Sequence, residues 1–276
     1  LLKENKQDFM FWDRGSSIDP ASIVVIAIPT KAIREVLSLN KDNLKNSVII
    51  NTSKGIEKTT HQLPFQIARE VLGDNVKYFS LMGPSFASEV VLKMPTMVSL
   101  GTFGNRGQGG KIEDLFQTDF FRIKQSDSNE AIELCGAFKN IYAVGCGIAE
   151  GLGFLGNTRA KLIALAYLEL TDLCQKLHYK VDKDGGAGTI GDLILTCSST
   201  ASRNFRFGKL LAGMTIVDAL KQVESTVEGY GNTFSVPYFI KKTSLELPVA
   251  DFIYKTVKND SPDLIADRFR SFIKKI

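Results

Sequence analysis

The chain has 276 residues, 44% of them hydrophobic and 23% charged, with a net charge of +4. That is the balance of a soluble globular protein, long enough for one large domain or two ordinary ones. No basic tract interleaves with aromatics, which argues against a nucleic-acid partner, and no segment reaches the ~20 uninterrupted apolar residues of a membrane helix. The mild basicity suits a small anionic, phosphorylated ligand instead. Leu1 to Asp8 carry no apolar signal core. Cys135, Cys146, Cys174 and Cys197 form no C-x-x-C motif and have no histidine at ligand spacing. No metal site is therefore expected, and the cysteines read as reduced, buried thiols of a cytoplasmic protein.

In chain order, Asp8–Trp12 is a short strand candidate. Ser22–Ile28 is a β-branched run stopped by Pro29, the pattern of a buried parallel strand. Thr30–Leu39 follows with helical spacing, since Ala32, Ile33, Val36 and Leu37 share a face. Ser47–Asn51 predicts another buried strand, and Leu63–Leu72 a helix ended by Gly73. Lys77–Met82 and Thr96–Leu100 read as strands, and Ile112–Phe116 as a helix. This alternation implies right-handed βαβ units and a mainly parallel, Rossmann-like sheet. From about Glu130 the pattern is helical only: Ala131–Gly147, Arg159–Leu177, Phe207–Ala212, Ile216–Val223, Phe234–Lys242, Val249–Lys258 and Pro262–Ile276. The expected organisation is an α/β domain over residues 1–126 and an all-helical domain over residues 127–276.

Ligands of open parallel sheets bind at the carboxyl ends of the strands. Three motifs fall at such ends: Pro29-Thr30, Thr52-Ser53-Lys54-Gly55 and Gly83-Pro84-Ser85-Phe86-Ala87. Any one could be an ordinary turn; three at equivalent places point to a ligand crevice.

Lys139 is the only charge between Glu133 and Glu150, in a run of apolar and small residues. A lone ammonium there must be paired, reach solvent or lose its proton. It is either a structural lysine snorkelling out of a helix or a desolvated base. Asp192 and Thr196 lie four apart, on one face if the segment is helical, and Asp192 is an obvious partner for Lys139. Asp192 could instead be a helix N-cap. Ser202-Arg203-Asn204 offers a planar guanidinium with neutral donors, suited to a phosphate, or a solvated loop. Glu228 could hold a ribose hydroxyl or be a surface glutamate. Together these parts fit a dehydrogenase acting on a small phosphate-bearing alcohol or ketone.

At these residues the chain resembles the bacterial-type NAD(P)-dependent sn-glycerol-3-phosphate dehydrogenases. The matching strings include Ala27–Leu37, Ser53–Glu57, Gly83–Ala87, Gly136–Asn140, Gly151–Gly153 with Gly156–Ala160, Gly191–Cys197, Ser202–Asn204 with Arg206–Gly208, and Val227–Gly229. They stand in family order from Ser22 to about Pro248. The resemblance implies a two-domain enzyme that interconverts dihydroxyacetone phosphate and sn-glycerol 3-phosphate with NAD or NADP, for phospholipid synthesis. It makes Lys139 the catalytic lysine, with Asp192 and Thr196 orienting it. It places Lys54, Gly83, Ser85, Asn140, Ser202, Arg203 and Asn204 on the substrate. Pro29, Lys54, Ala87, Arg203 and Glu228 fall to the cofactor, and a homodimer is one assembly it allows.

The chain departs from the family in three places. The opening G-x-G-x-W-G phosphate loop does not occur; Leu1–Asn5 reads as the end of the helix that follows it, so the loop is expected outside this sequence. The stretch from Arg14 to Ser22 is shorter than the family's. Gly231 stands where the family often has arginine, which removes one cofactor contact. Arg14, after the Trp12 strand, sits where an adenosine 2′-phosphate could be met. Two other readings compete: a catalytically dead sensor of a nucleotide or sugar phosphate, and a related dehydrogenase for a 6-phosphogluconate-like or hydroxy-acid substrate.

Overall fold

The computed structural model describes residues 23–259 and 261–276. The strand expected at Asp8–Trp12 and the cofactor contact expected of Arg14 lie outside the described residues. The expected strands form β1 (Ile23–Ile26), β2 (Val48–Asn51), β3 (Lys77–Met82) and β4 (Thr96–Gly101). A further strand, β5 (Phe121–Ser126), occupies the stretch in which the sequence pattern shows only the approach to a polar boundary. The strand order is β1-β2-β3-β4-β5. β1, β2 and β3 run parallel, β4 is antiparallel to β3, and β5 is parallel to β4.

The helices that accompany the sheet are α1 (Ile33–Leu39), α2 (Lys41–Leu44), α3 (Pro64–Leu72), α4 (Ala87–Val91) and α5 (Arg106–Phe116). The start of α3 follows from its sequence. Pro64 supplies a preset φ at the first helical position, and Gln66 Oε1 accepts from the Leu63 N–H at 2.8 Å. It ends at Gly73, whose φ of +99° needs a residue without a Cβ. The second half is helical throughout: α6 (Asn129–Gly151), α7 (Gly156–Lys176), α8 (Asp192–Ser198), α9 (Arg203–Leu210), α10 (Ile216–Val223), α11 (Glu228–Thr233), α12 (Val236–Thr243), α13 (Pro248–Asn259) and α14 (Pro262–Lys275). No described helix is long and apolar enough to cross a membrane.

The middle of the sheet is covered on both faces, as expected of a mainly parallel sheet, while the edge strands β1 and β5 each leave one face partly exposed. Period-two alternation sends Ile49 of β2 into the main core with α1, α3 and α6, while Val48 and Ile50 join Phe79, Val98, Leu100, Ile112 and Ile123 beneath α5. Helix α6 is the axis of the helical half, buried on all sides from Ala131 to Ala149. Its small residues let α9 come close. A Cβ at Gly147 of α6 would stand 2.1 Å from the Phe205 carbonyl oxygen, and one at Gly208 of α9 2.0 Å from the Val144 carbonyl oxygen, so the two backbones touch only because those atoms are missing. Such all-round burial is what makes the single cation on this helix expensive unless it is paired.

Candidate active site

A cleft of about 410 Å³ opens over the carboxyl ends of β1 and β2. Ala27 to Pro29 follow β1 and Thr52 to Lys54 follow β2 into its floor. Lys139 and Asn140 come from α6, Thr196 from α8, Ala201 to Asn204 from the start of α9, and Thr226 and Glu228 from the entry to α11. The strand-end rule thus locates the crevice, and the helical half closes it.

Lys139 is 5% exposed and Asp192 2%. Lys139 Nζ donates to Asp192 Oδ1 at 2.5 Å and to Thr196 Oγ1 at 2.7 Å. Thr196 Oγ1 in turn donates to Asp192 Oδ1 at 3.4 Å, the i,i+4 relation predicted for a helical segment. Lys54 Nζ takes the other oxygen, Asp192 Oδ2, at 2.6 Å, and the Gly83 carbonyl at 3.1 Å. Asp192 is free for this work because it caps nothing. It is the first residue of α8, which grows directly out of a π-helical turn, Ala187–Gly191, with no side-chain cap. The wide turn re-aims the carboxylate toward α6, a common use of π geometry at functional sites. Of the two sequence alternatives, the structure has the partner and not the N-cap.

Burial lowers the Lys139 pKa; the Asp192 charge resists and the nearby Lys54 charge assists, leaving it at about 8. Asp192 is pushed up by burial, but the two ammonium groups outweigh this and hold it below the usual carboxylate value. An ammonium has three N–H donors. Two of those on Lys139 are spent on Asp192 and Thr196, so one remains for a ligand in the cleft that it lines. Two cations sharing one anion also leave a surplus positive charge, which favours an anionic ligand.

The other predicted residues divide. Ser202 Oγ accepts from Phe205 N at 3.3 Å and caps α9, leaving its own hydroxyl hydrogen to give. Arg203 is exposed on the cleft rim, and among the described residues its guanidinium has no hydrogen-bond partner. Asn204 is tied inward: Nδ2 donates to Asn140 Oδ1 at 2.8 Å, and Oδ1 accepts from Gly229 N at 2.9 Å. Asn140 Nδ2 reaches the Lys54 carbonyl at 3.1 Å. The two asparagines therefore join α6, α9 and α11 beneath the cleft. Pro29 and Glu228 line it; burial pushes the Glu228 carboxyl up, and Thr30 N donates to Glu228 Oε1 at 3.4 Å. Gly83 lies below, holding Lys54, with Ser85 Oγ donating to its carbonyl at 3.2 Å. Gly83, Ser85 and Ala87 are not on the cleft wall; Phe86 is. Ala27, Ile28, Thr52, Ser53, Phe86, Ala201 and Thr226 also line the wall without having been candidate site residues. Thr52, Ser53 and Phe86 had a signal, their places inside the strand-end motifs; Ala201 and Thr226 had none.

Comparison with known proteins gives the same picture from sequence and from shape. Residues 10–105 match the family model for the NAD-dependent glycerol-3-phosphate dehydrogenase N-terminus, and residues 129–265 that for its C-terminus. The glycerol-3-phosphate dehydrogenase (NAD(P)+) of Staphylococcus epidermidis is 37% identical over 259 residues, covering 91% of this chain and 76% of the relative. That of Oceanobacillus iheyensis is 36% identical over 262 residues, covering 93% and 75%. The crystal structure of glycerol-3-phosphate dehydrogenase from Coxiella burnetii superposes with a TM-score of 0.83 at 30% identity, over 91% of this chain and 77% of that one.

Proposed function

The chain belongs to the NAD-dependent glycerol-3-phosphate dehydrogenase family, and from that premise we propose that it interconverts dihydroxyacetone phosphate and sn-glycerol 3-phosphate, with Lys139 moving the proton at the reacting oxygen. The observation that carries this reading is that Lys139 and Lys54 line the cleft while both are held by the buried Asp192, with Arg203, which has no hydrogen-bond partner among the described residues, at the rim.

The residues above β1 and β2 fit a nicotinamide dinucleotide. Among the described residues, Thr30 Oγ1 is buried without a hydrogen-bond partner, and the Glu228 carboxylate accepts only a long bond from Thr30 N. Both suit nucleotide hydroxyls at a strand-end crevice. Pro29 and Glu228 would hold NAD or NADP there, with Lys54, Arg203 and Ala87 on its approach. The bound nicotinamide supplies or accepts the hydride.

The proton is the protein's part. As the carbonyl of dihydroxyacetone phosphate becomes an alkoxide, the Lys139 ammonium gives a proton to that oxygen. In the reverse direction the neutral amine takes it from the carbinol. Asp192 fixes the amine and stabilises its charged form, while Thr196 sets its direction. Lys54 adds a second positive charge on the substrate side. Ser202, Arg203 and the first-turn N–H groups of α9 take the phosphate, with Asn204 and Asn140 holding that turn against α6. Gly83 and Ser85 contribute by seating Lys54. Residues 1–126 then hold the cofactor and residues 127–276 the substrate and the proton-transfer group. The same reading makes the protein a cytoplasmic enzyme with a small phosphorylated substrate and no nucleic-acid partner, supplying glycerol phosphate for phospholipid synthesis, and a homodimer is the assembly to test.

The test follows reduced nicotinamide absorbance with dihydroxyacetone phosphate added. Substrate-dependent oxidation is expected, and Arg203→Ala should raise KM for dihydroxyacetone phosphate about 10- to 100-fold, the cost of one charge-assisted hydrogen bond, with far less change for the cofactor. No substrate-dependent oxidation, or an unchanged KM in the variant, overturns the respective part.

A further inference from the structure

Glu133 stands on α6 six residues before Lys139, 1% exposed and away from the cleft wall. No cation pairs with it among the described residues. Instead its carboxylate gathers hydrogen bonds from three separate elements. Oε1 accepts from Asn51 Nδ2 on β2 at 3.2 Å, from Ser80 Oγ on β3 at 2.6 Å, and from the Tyr78 hydroxyl on β3. Oε2 accepts from Phe65 N in the first turn of α3 at 2.9 Å. Four donors converging on one buried acid suggest a device for alignment rather than a leftover charge.

The bond to Asn51 matters most for the cleft. An amide side chain can sit either way round, and a carboxylate that accepts fixes the nitrogen end toward itself. The oxygen end is then turned to the backbone, where Asn51 Oδ1 accepts from Ser53 N at 3.0 Å and Nδ2 also donates to Ser53 O at 3.1 Å. Asn51 thus clips both backbone groups of Ser53, the residue before Lys54. Ser53 Oγ donates to the Ile28 carbonyl at 2.6 Å, which ties the turn to the end of β1. Three residues on from Glu133, the Lys54 stem passes Gly136 of α6 at ordinary packing distance: a Cβ there would stand 3.6 Å from Lys54 Cγ and 2.9 Å from Met82 Sδ. The chain from Glu133 through Asn51 and Ser53 ends at Lys54 Nζ on Asp192.

We propose that Glu133 is a positioning residue for the reaction: through Asn51 it locks the Ser53–Lys54 turn and so sets Lys54 against Asp192 and Lys139. This rests on the dehydrogenase reading for its kinetic arm, and one arm is independent of that reading.

The independent arm is amide hydrogen exchange at Ser53. Exchange there should quicken in Glu133→Ala and in Asn51→Ser, and return toward wild type in Glu133→Gln, whose amide oxygen can still accept from Asn51. The kinetic arm is a double-mutant cycle. Glu133→Ala should lower kcat/KM for dihydroxyacetone phosphate by about tenfold or more in the wild-type background, but leave it unchanged in a Lys54→Met background. Glu133→Gln should recover most of the loss. Asn51→Ser keeps the other three bonds to Glu133 and should repeat the pattern, so it decides the matter if the alanine variant does not fold. Unchanged Ser53 exchange, or an equal loss in both Lys54 backgrounds, overturns the proposal. A wild-type enzyme that leaves the cofactor unoxidised overturns the dehydrogenase reading instead, and the exchange arm still decides the role of Glu133.

Discussion

Lys139 and Lys54 bind opposite oxygens of the same carboxylate: Lys139 Nζ lies 2.5 Å from Asp192 Oδ1, and Lys54 Nζ lies 2.6 Å from Oδ2. The two lysines are 85 residues apart in sequence and reach Asp192 from different halves of the chain. One anion thus spaces two cations and prevents either from turning away from the cleft.

Asp192→Asn keeps the shape and removes the charge, leaving two close ammonium groups with no counter-ion. Breaking a buried ion pair from one side costs about 3–5 kcal/mol, so thermal unfolding should move to lower temperature. Activity should fall by roughly 10²-fold or more, because the proton donor loses both orientation and charge stabilisation. A variant with wild-type melting and turnover would remove Asp192 from the account.

The pH dependence follows from the Lys139 value of about 8. Burial is its main cause, since it disfavours the charged amine. Oxidation of glycerol phosphate needs the neutral amine, so its rate should rise with pH and level off above about 8. Reduction of dihydroxyacetone phosphate needs the ammonium and should fall through the same region. Rate profiles measured in both directions check this; two parallel profiles would contradict it.

A second buried acid governs stability instead of chemistry. Glu169 on α7 accepts from Val249 N at 2.5 Å and Ala250 N at 3.2 Å, capping α13, and from the Tyr142 hydroxyl at 2.9 Å. Burial raises its pKa from 4.5 to about 7, against the pull of those three donors. A folded value above the unfolded one means the folded chain holds the proton more tightly. The stabilisation is complete below 4.5 and is lost as pH rises to about 7. Glu169→Gln should flatten that part of the curve, as measured by denaturant unfolding across the range. An equal slope in both proteins would refute the assignment.

Much of this was legible because it depends on local pattern. The loneliness of Lys139 in an apolar run left a snorkelling structural lysine and a desolvated base open, with Asp192 as the obvious partner, and the spacing of Asp192 and Thr196 predicted a shared face if the segment was helical. Both depend only on helical periodicity. The strand β5 was not legible in the same way. Phe121–Ser126 alternates exposed Arg122 and Lys124 with buried Ile123, the pattern of an edge strand with one wet face, and this resembles linker composition. The first turns of α5 were missed because Gly107, Gly109 and Gly110 carry poor helix propensity that the sheet overrides. The Asn51–Glu133 contact joins residues 82 apart, and neither has a neighbour in sequence that announces the other. Asn204 looked like a phosphate ligand from its place beside Arg203, whereas its amide is already bonded to Asn140 and Gly229.

The central claim concerns a single nitrogen, and Lys139→Met tests it with little change in side-chain volume. Turnover of dihydroxyacetone phosphate should fall by roughly 10²- to 10⁴-fold, the usual worth of a positioned acid–base group, while reduced-cofactor binding measured by fluorescence titration stays near wild type. A variant that keeps wild-type turnover would show that another group moves the proton.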